Sequence, residues 1–195
     1  MTDSSRKTFA DLDNVSKIYK QPIDCSNQQL VSLIGAPEKV FGDFVCNDND
    51  LSNLIGSPKT IDGAFLAMRC KLTSLEGCPE YISGAFIIRN NVNLTTLKYI
   101  TNLIYKYIDV EDCQIIDVSD LAENIPTTIF LDFNENLAVL PLIKFKPYFQ
   151  KSKVKFTSIM REYSSFEEYS KTKLIDCQQE LIKHGFFKNA RWSPL

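Results

Sequence analysis

Histidine is nearly missing from these 195 residues: His184 is the one copy, just before a glycine, and tryptophan is equally scarce. A lone histidine in a helix-stop context leaves a Ser-His-Asp or Cys-His constellation without support. Glycine is thin too, with seven in all, each standing singly, so there is no glycine-rich phosphate loop. No apolar run is long enough to span a bilayer. Met1-Thr-Asp-Ser-Ser-Arg-Lys lacks the hydrophobic core of a secretory signal. A formal net charge of -2 gives no global case for nucleic acid or an anionic membrane. The acids Asp109, Glu111, Asp112, Asp117, Asp120 and Glu123 lack the central glycine of a calcium loop and read as a solvated edge. The expectation is a non-enzymatic, cytoplasmic chain without metal or cofactor.

What is abundant is repetition. Leu30-Val-Ser-Leu33-Ile-Gly35-Ala-Pro37 returns as Leu51-Ser-Asn-Leu54-Ile-Gly56-Ser-Pro58 and as Leu72-Thr-Ser-Leu75-Glu-Gly77-Cys-Pro79. Each copy continues to Val40, Ile61 or Ile82, then Gly42, Gly63 or Gly84, then Phe44, Phe65 or Phe86. The period of about 21 residues falls in the leucine-rich-repeat range and is too short for the helical repeat families. Inward pairs set the strand starts: Ile23 with Cys25, Phe44 with Cys46, Phe65 with Ala67, Phe86 with Ile88, Ile108 with Val110, and Ile129 with Leu131. Five residues past each start stand Gln28, Asn49, Cys70, Asn91, Cys113 and Asn134. That slot is expected to point inward and bond the backbone of a neighbouring turn. Two leucine columns follow, then the convex column Val40, Ile61, Ile82, Ile104, Ile125. So few residues separate them that the return arm must be extended or a short 3₁₀ turn, with glycines allowing positive φ at the corners.

These features give the fold class: an α/β repeat solenoid, with a curved parallel sheet of about six strands, non-helical convex arms and a C-terminal helical cap. Residues 1–22 form an N-terminal cap. Phe9, Leu12, Val15, Ile18 and Tyr19 suggest one or two helical turns there. Residues 23–142 are the solenoid, and 143–195 a C-terminal cap with an edge strand and a helix. The six cysteines, four of them in repeat register, are expected to be reduced and buried.

The phrase Leu-x-x-Leu-x-Gly-x-Pro-x-x-Val/Ile-x-Gly-x-Phe-x-Cys resembles short leucine-rich-repeat proteins encoded by tailed bacteriophages. The likeness is close over residues 23 to 100 and loose over 101 to 140. Gly185-Phe-Phe-Lys-Asn-Ala-Arg-Trp192 looks like the tail such proteins carry. Similar repeats also occur in bacterial chromosomes. The resemblance implies a leucine-rich-repeat fold and a non-enzymatic binding role, for a phage protein one directed at a host bacterial protein.

Past Pro141 the register is lost. Lys144, Lys146, Lys151, Lys153 and Lys155 interleave with aromatics. Alternation over Lys153–Phe156 reads as a last strand whose lysines guard a sheet edge, and the rival reading is a nucleic-acid surface. Ser165 and Glu168 form a capping box. Helical spacing over Phe166, Tyr169, Leu174, Cys177, Leu181 and Ile182 runs to a stop at Gly185.

Function rests on the residues between the inward ones, which face the concave side. One outward column reads Asp24, Val45, Leu66, Ile87, Asp109, Phe130; the other reads Ser26, Asn47, Met68, Arg89, Glu111, Asp132. A solvated strand face should be polar, yet Val45, Leu66, Met68 and Ile87 form an apolar patch bordered by Arg89, Asp109, Glu111 and Asp132. Apolar centre with charged rim is interface anatomy. Three readings stand side by side. The patch docks a protein partner; it is covered by a second copy, as in a self-assembling structural or virion-associated protein, or by the C-terminal helix; or it reflects strand propensity alone.

Overall fold

A computed structural model describes residues 7–12, 18–101, 103–119, 121, 128–144, 146–150, 154–164 and 171–191. The chain winds into a parallel β-solenoid of about six turns, followed by two helices. Its main sheet has seven strands: β1 (Ile23–Asp24), β2 (Phe44–Val45), β3 (Phe65–Leu66), β4 (Phe86–Ile87), β5 (Tyr107–Asp109), β6 (Thr128–Asp132) and β7 (Lys146–Gln150). The register runs Ile23, Phe44, Phe65, Phe86, Ile108, Ile129, Pro147 across neighbouring strands. The first six are the strand starts read from the sequence.

Each inward column is a stack of like side chains. Phe44, Phe65 and Phe86 are fully buried, their rings 5.8 and 5.4 Å apart and nearly parallel. Phe9 continues the pile 5.9 Å from Phe44, which closes the N-terminal end with an aromatic ring. The leucine columns, and Val40, Ile61, Ile82 and Ile104, are buried likewise; Ile125 lies outside the described residues. The return arm is extended. Ile18–Tyr19, Lys39–Val40, Thr60–Ile61 and Tyr81–Ile82 form a second parallel sheet, which Ile104 prolongs by a single bridge to Ile82.

The corners obey two rules. Four residues after each of five strand starts, at Asn27, Asp48, Arg69, Asn90 and Asp112, the backbone is left-handed, with φ between 52 and 61°. Asn and Asp tolerate that region best. Arg69 departs from the type, and its guanidinium grips Asp48 of the preceding coil at 2.6 and 2.8 Å. The next residue carries the polar ladder. Asn49 Nδ2 donates to the carbonyls of Cys25 and Cys46, and its Oδ1 accepts from the N–H of Gln28 and Leu30. Asn91 repeats this with Ala67, Ile88 and Leu72. Cys70 and Cys113 occupy the same slot and donate only through sulfur, to Cys46 and Ile88. Asn134 is half-buried and accepts from the N–H of Asn136.

Not every glycine is there for its φ. Gly35, Gly56 and Gly77 do have positive φ, but Gly63 turns on contact. A Cβ on it would lie 2.3 Å from the Gly42 carbonyl carbon, inside the neighbouring backbone.

The structure differs from expectation at both ends. Among its described residues the N-terminal segment makes one 3₁₀ turn, Phe9–Asp11, after Lys7–Thr8, which pairs with Leu30–Ser32, and then the strand Ile18–Tyr19. Coil-to-coil pairing makes Ile18 and Tyr19 a strand where their spacing suggested a helical turn, and Val15 lies outside the described residues. At the other end the last strand is β7, not Lys153–Phe156. Val154–Tyr163 is a helix, α1, because Phe156, Ile159 and Met160 recur at helical spacing and all bury. Four alternating residues carried too little information to oppose that. The second helix, α2, spans Lys171–Lys183 and buries Cys177 and Leu181, while Ile182, expected on the buried side, is exposed. Ser165, Phe166, Glu168 and Tyr169 fall outside the described residues. α2 stops as expected: Gly185 has φ 81°, Phe186 N–H donates to Leu181 and Gly185 N–H to Ile182. Phe186 then joins Phe133, Phe149 and Phe156 in an aromatic plug. Asn189 reaches back to the carbonyls of Asn134 and Leu137 at 3.0 and 2.8 Å.

Asn49→Ala leaves two corners without partners and is expected to cost about 1–3 kcal/mol in urea unfolding. Gly63→Ala should cost at least as much, since backbone must move to admit the methyl. Melting as in the wild type for both variants would contradict this account of the corners.

Candidate docking surface on the seven-stranded sheet

The register that buries the phenylalanines turns the next residue outward. Asp24, Val45, Leu66, Ile87, Asp109, Phe130 and Tyr148 are thus neighbours across the seven strands. Val45, Leu66, Ile87 and Met68 are each partly exposed. Backbone bonds of 2.8–2.9 Å, such as Cys46 N–H to Leu66 and Ala67 N–H to Ile87, hold them one strand apart. Asn47 Oδ1 accepts the Met68 N–H at 2.7 Å, which fixes the loop end of the second column. α2 packs on α1 and on the 3₁₀ segment Leu140–Lys144, at the C-terminal end of the solenoid.

The acids beside the patch are not the solvated edge expected of them. Asp109 and Glu111 are buried, 5% and 7% exposed. Arg89 explains how. Its Nε donates to Asp109 Oδ2 at 2.7 Å, and its Nη2 pairs with Glu111 Oε2. Asp109 Oδ1 also accepts the Glu111 N–H. Buried carboxylates are tolerable only when paired and bonded, and one planar guanidinium serves both. Sequence separation hid this, because Arg89 meets its partners only when coils are in register. Asp112, Asp117 and Asp132 keep partial exposure; Asp120 and Glu123 lie outside the described residues.

Beyond the triad the face turns aromatic. Phe130 stands 5.6 Å from Tyr107, edge to face, and 5.4 Å from Tyr148, which is 51% exposed. Phe130 was among the residues chosen from the sequence, whereas Tyr107 and Tyr148 were missed. Tyr148 follows Phe130 after a shortened coil, so counting forward by the repeat period passes over it. The side chains of Lys144, Lys146, Lys151, Lys153 and Lys155 lie outside the described residues.

All six cysteines are free thiols; five are buried, while Cys78, expected with them, is only partly so. Burial pushes Cys25, Cys78, Cys113 and Cys177 up to about 12 and Cys70 to about 11, and holds Cys46 well above the usual thiol range. Cys25 and Cys46 donate through sulfur to the Val45 and Leu66 carbonyls, each at 3.3 Å. Such thiols are protonated near neutrality and poor nucleophiles. His184 bonds Glu180 at 3.0 Å on the rim of α2. Among the described residues no cluster of metal-ligating side chains occurs, and no helix is long and apolar enough to cross a membrane.

No protein-family model, curated protein or solved structure matches this chain.

The buried thiols have a consequence for pH. A thiol whose pKa is raised by folding contributes its full stability below the unfolded value of about 8.5 and loses it as pH climbs further. Urea stability is therefore expected to hold from about pH 7 to 8 and to fall above about 8.5, less steeply in Cys46→Ala. An equal slope in that variant would remove the thiols as the cause. Arg89→Met strands two buried carboxylates and should cost roughly 3 kcal/mol in the same assay. A loss within error would show that the triad is solvated.

Proposed function

We propose that this chain is a non-enzymatic leucine-rich-repeat module that binds another protein through the outward face of its seven-stranded sheet. The observation that carries the reading is the partly exposed aliphatic group Val45, Leu66, Met68 and Ile87, in columns where a solvated sheet would be polar. None of the four belongs to the buried core, so substituting them is expected to spare folding. Protonated thiols and a single histidine tied to a rim glutamate support a role without catalysis. The repeat phrase resembles phage proteins, and on that likeness the module works in the cytoplasm of an infected bacterium by occupying or blocking a host protein. Self-assembly through the same face is the second reading, and the same apolar group favours it.

Burying the four side chains could contribute several kcal/mol at about 25 cal/mol per Å². Leu66→Glu with Ile87→Glu is the test, read by thermal melting, by sedimentation and by affinity capture from infected cells. The expected result is a normal melt with loss of the captured host protein. Loss of a dimer instead would favour self-assembly, and unfolding would place the patch inside the molecule. Normal melting with unchanged capture and unchanged mass would exclude the face.

A further inference from the structure

The main sheet ends in two edge strands, and a proline stands at each. Inside the sheet an inward residue's N–H donates to the coil that follows. Phe44 bonds the Ala64 carbonyl, Phe65 that of Ala85, Cys46 that of Leu66 and Val110 that of Phe130, all at 2.8–2.9 Å. β7 is the last strand, and among the described residues no strand pairs beyond it. Its first inward residue is Pro147, in register with Ile129 and so with the phenylalanine column. The N–H that would reach a following coil is missing there, and a ring carbon stands in its place.

The opposite edge is β1. The N-terminal segment supplies strands against Leu30–Ser32 and Lys39–Val40, but among the described residues none against β1. At this edge the outward-looking donors belong to the alternate residues. Ala64 shows the direction, since its N–H reaches back to Asp43 Oδ1 of the coil before at 2.7 Å. Pro22 holds that position in the first coil, is exposed, and has no N–H to offer. Ser26 N–H is taken within its own coil by Asp24 Oδ1 at 2.9 Å, whereas Met68 N–H, in the same column, reaches back to Asn47. In the coils between the two edges neither position holds a proline.

A parallel solenoid with open edges is a template for itself: the first coil of one molecule can stack on the last coil of another, head to tail and without closure. We infer that Pro22 and Pro147 are end stops that keep a second copy of this chain from continuing the sheet. In such a stack the Pro22 carbonyl meets the Pro147 ring instead of a donor, and is buried without a partner. α1 closes the core under the last coil, with Phe156 5.0 Å from Phe149 ring to ring, and leaves Pro147 partly exposed. The edges are separate from the outward face, so this role stands apart from the docking proposed above.

The test restores the donors in the full chain. Pro147→Val, Pro22→Val and the double variant are followed by sedimentation velocity over a concentration series, with negative-stain microscopy and thermal melting alongside. Valine suits a strand and returns the N–H. The double variant should show a sedimentation coefficient that climbs with concentration, and filaments one solenoid wide. Pro147→Val should give most of that effect, because it supplies the bond to the Pro22 carbonyl, and Pro22→Val less. Adding Leu66→Glu and Ile87→Glu separates edge from face. Assembly that persists in this background runs end to end and supports the stops, whereas assembly that vanishes there runs through the outward face and overturns them. A double variant that melts and sediments as the wild type does would overturn them too, as would filaments of the same kind from the wild-type chain. If valine lowers the melting temperature, Pro147→Ala, which returns the same N–H in less volume, decides by the same criteria.

Discussion

Stacking one coil on the next takes the corner peptides out of water, and an unpaired buried peptide group costs as much as a lost hydrogen bond or more. Asn49 and Asn91 meet that requirement, each joining its own coil to the one before through both donors and an acceptor. The coils between and beyond them use Cys70 and Cys113, whose sulfur gives one weak donor. A weaker corner thus lies next to a stronger one, and neither cysteine has to hold the ladder alone. The other inward features depend on the spacing this sets. Phenylalanine rings can stack only at coil separation, and Gly63 must lack a side chain because Gly42 lies against it.

How legible this was follows from which interactions repeat. Strand starts could be read because Phe44, Phe65 and Phe86, with the leucines behind them, each answer to the same neighbour one period away. β7 could not, since Pro147 replaces the large inward residue and its coil is shorter. The Lys153–Phe156 alternation misled for a different reason: a four-residue window fits two periods, and only Ile159 and Met160 decide between them. At the N-terminus the spacing and the structure can be compared only at the 3₁₀ turn Phe9–Asp11 and at the strand Ile18–Tyr19, and Phe9 stands where it continues the ring of Phe44.

The site was legible in part, and the division is physical. Apolar residues at outward positions are visible to anyone who counts the register, so Val45, Leu66, Met68, Ile87 and Phe130 could be chosen. Burial of a charge is not visible in that way. Asp109 and Glu111 looked like solvated acids because the residue that makes their burial tolerable lies a coil earlier. Tyr107 was missed because it precedes a strand start, in a position held by Ala64 and Ala85 in earlier coils.

Under the docking role proposed above, the solenoid separates folding from recognition more cleanly than a layered fold does. Inward columns must repeat, since each side chain is its neighbour's packing surface. Outward columns are released from that condition, and here they change character along the axis, from Asp24 through an aliphatic stretch and an ion triad to three aromatic rings. The triad stands where the change occurs. Arg89 holds both carboxylates in fixed positions, so this part of the face is ordered; under the docking role proposed above, an ordered site would lose less entropy on binding than side chains free on a surface. The caps limit how far such a face can extend. Phe9 ends the ring stack on one side, and Asn189 with Phe186 ends the last coil on the other. Under the proposed docking role, a partner segment lying across the strands would meet the outward residues of one coil about every 4.8 Å, so the order of its side chains would have to follow the order of the coils.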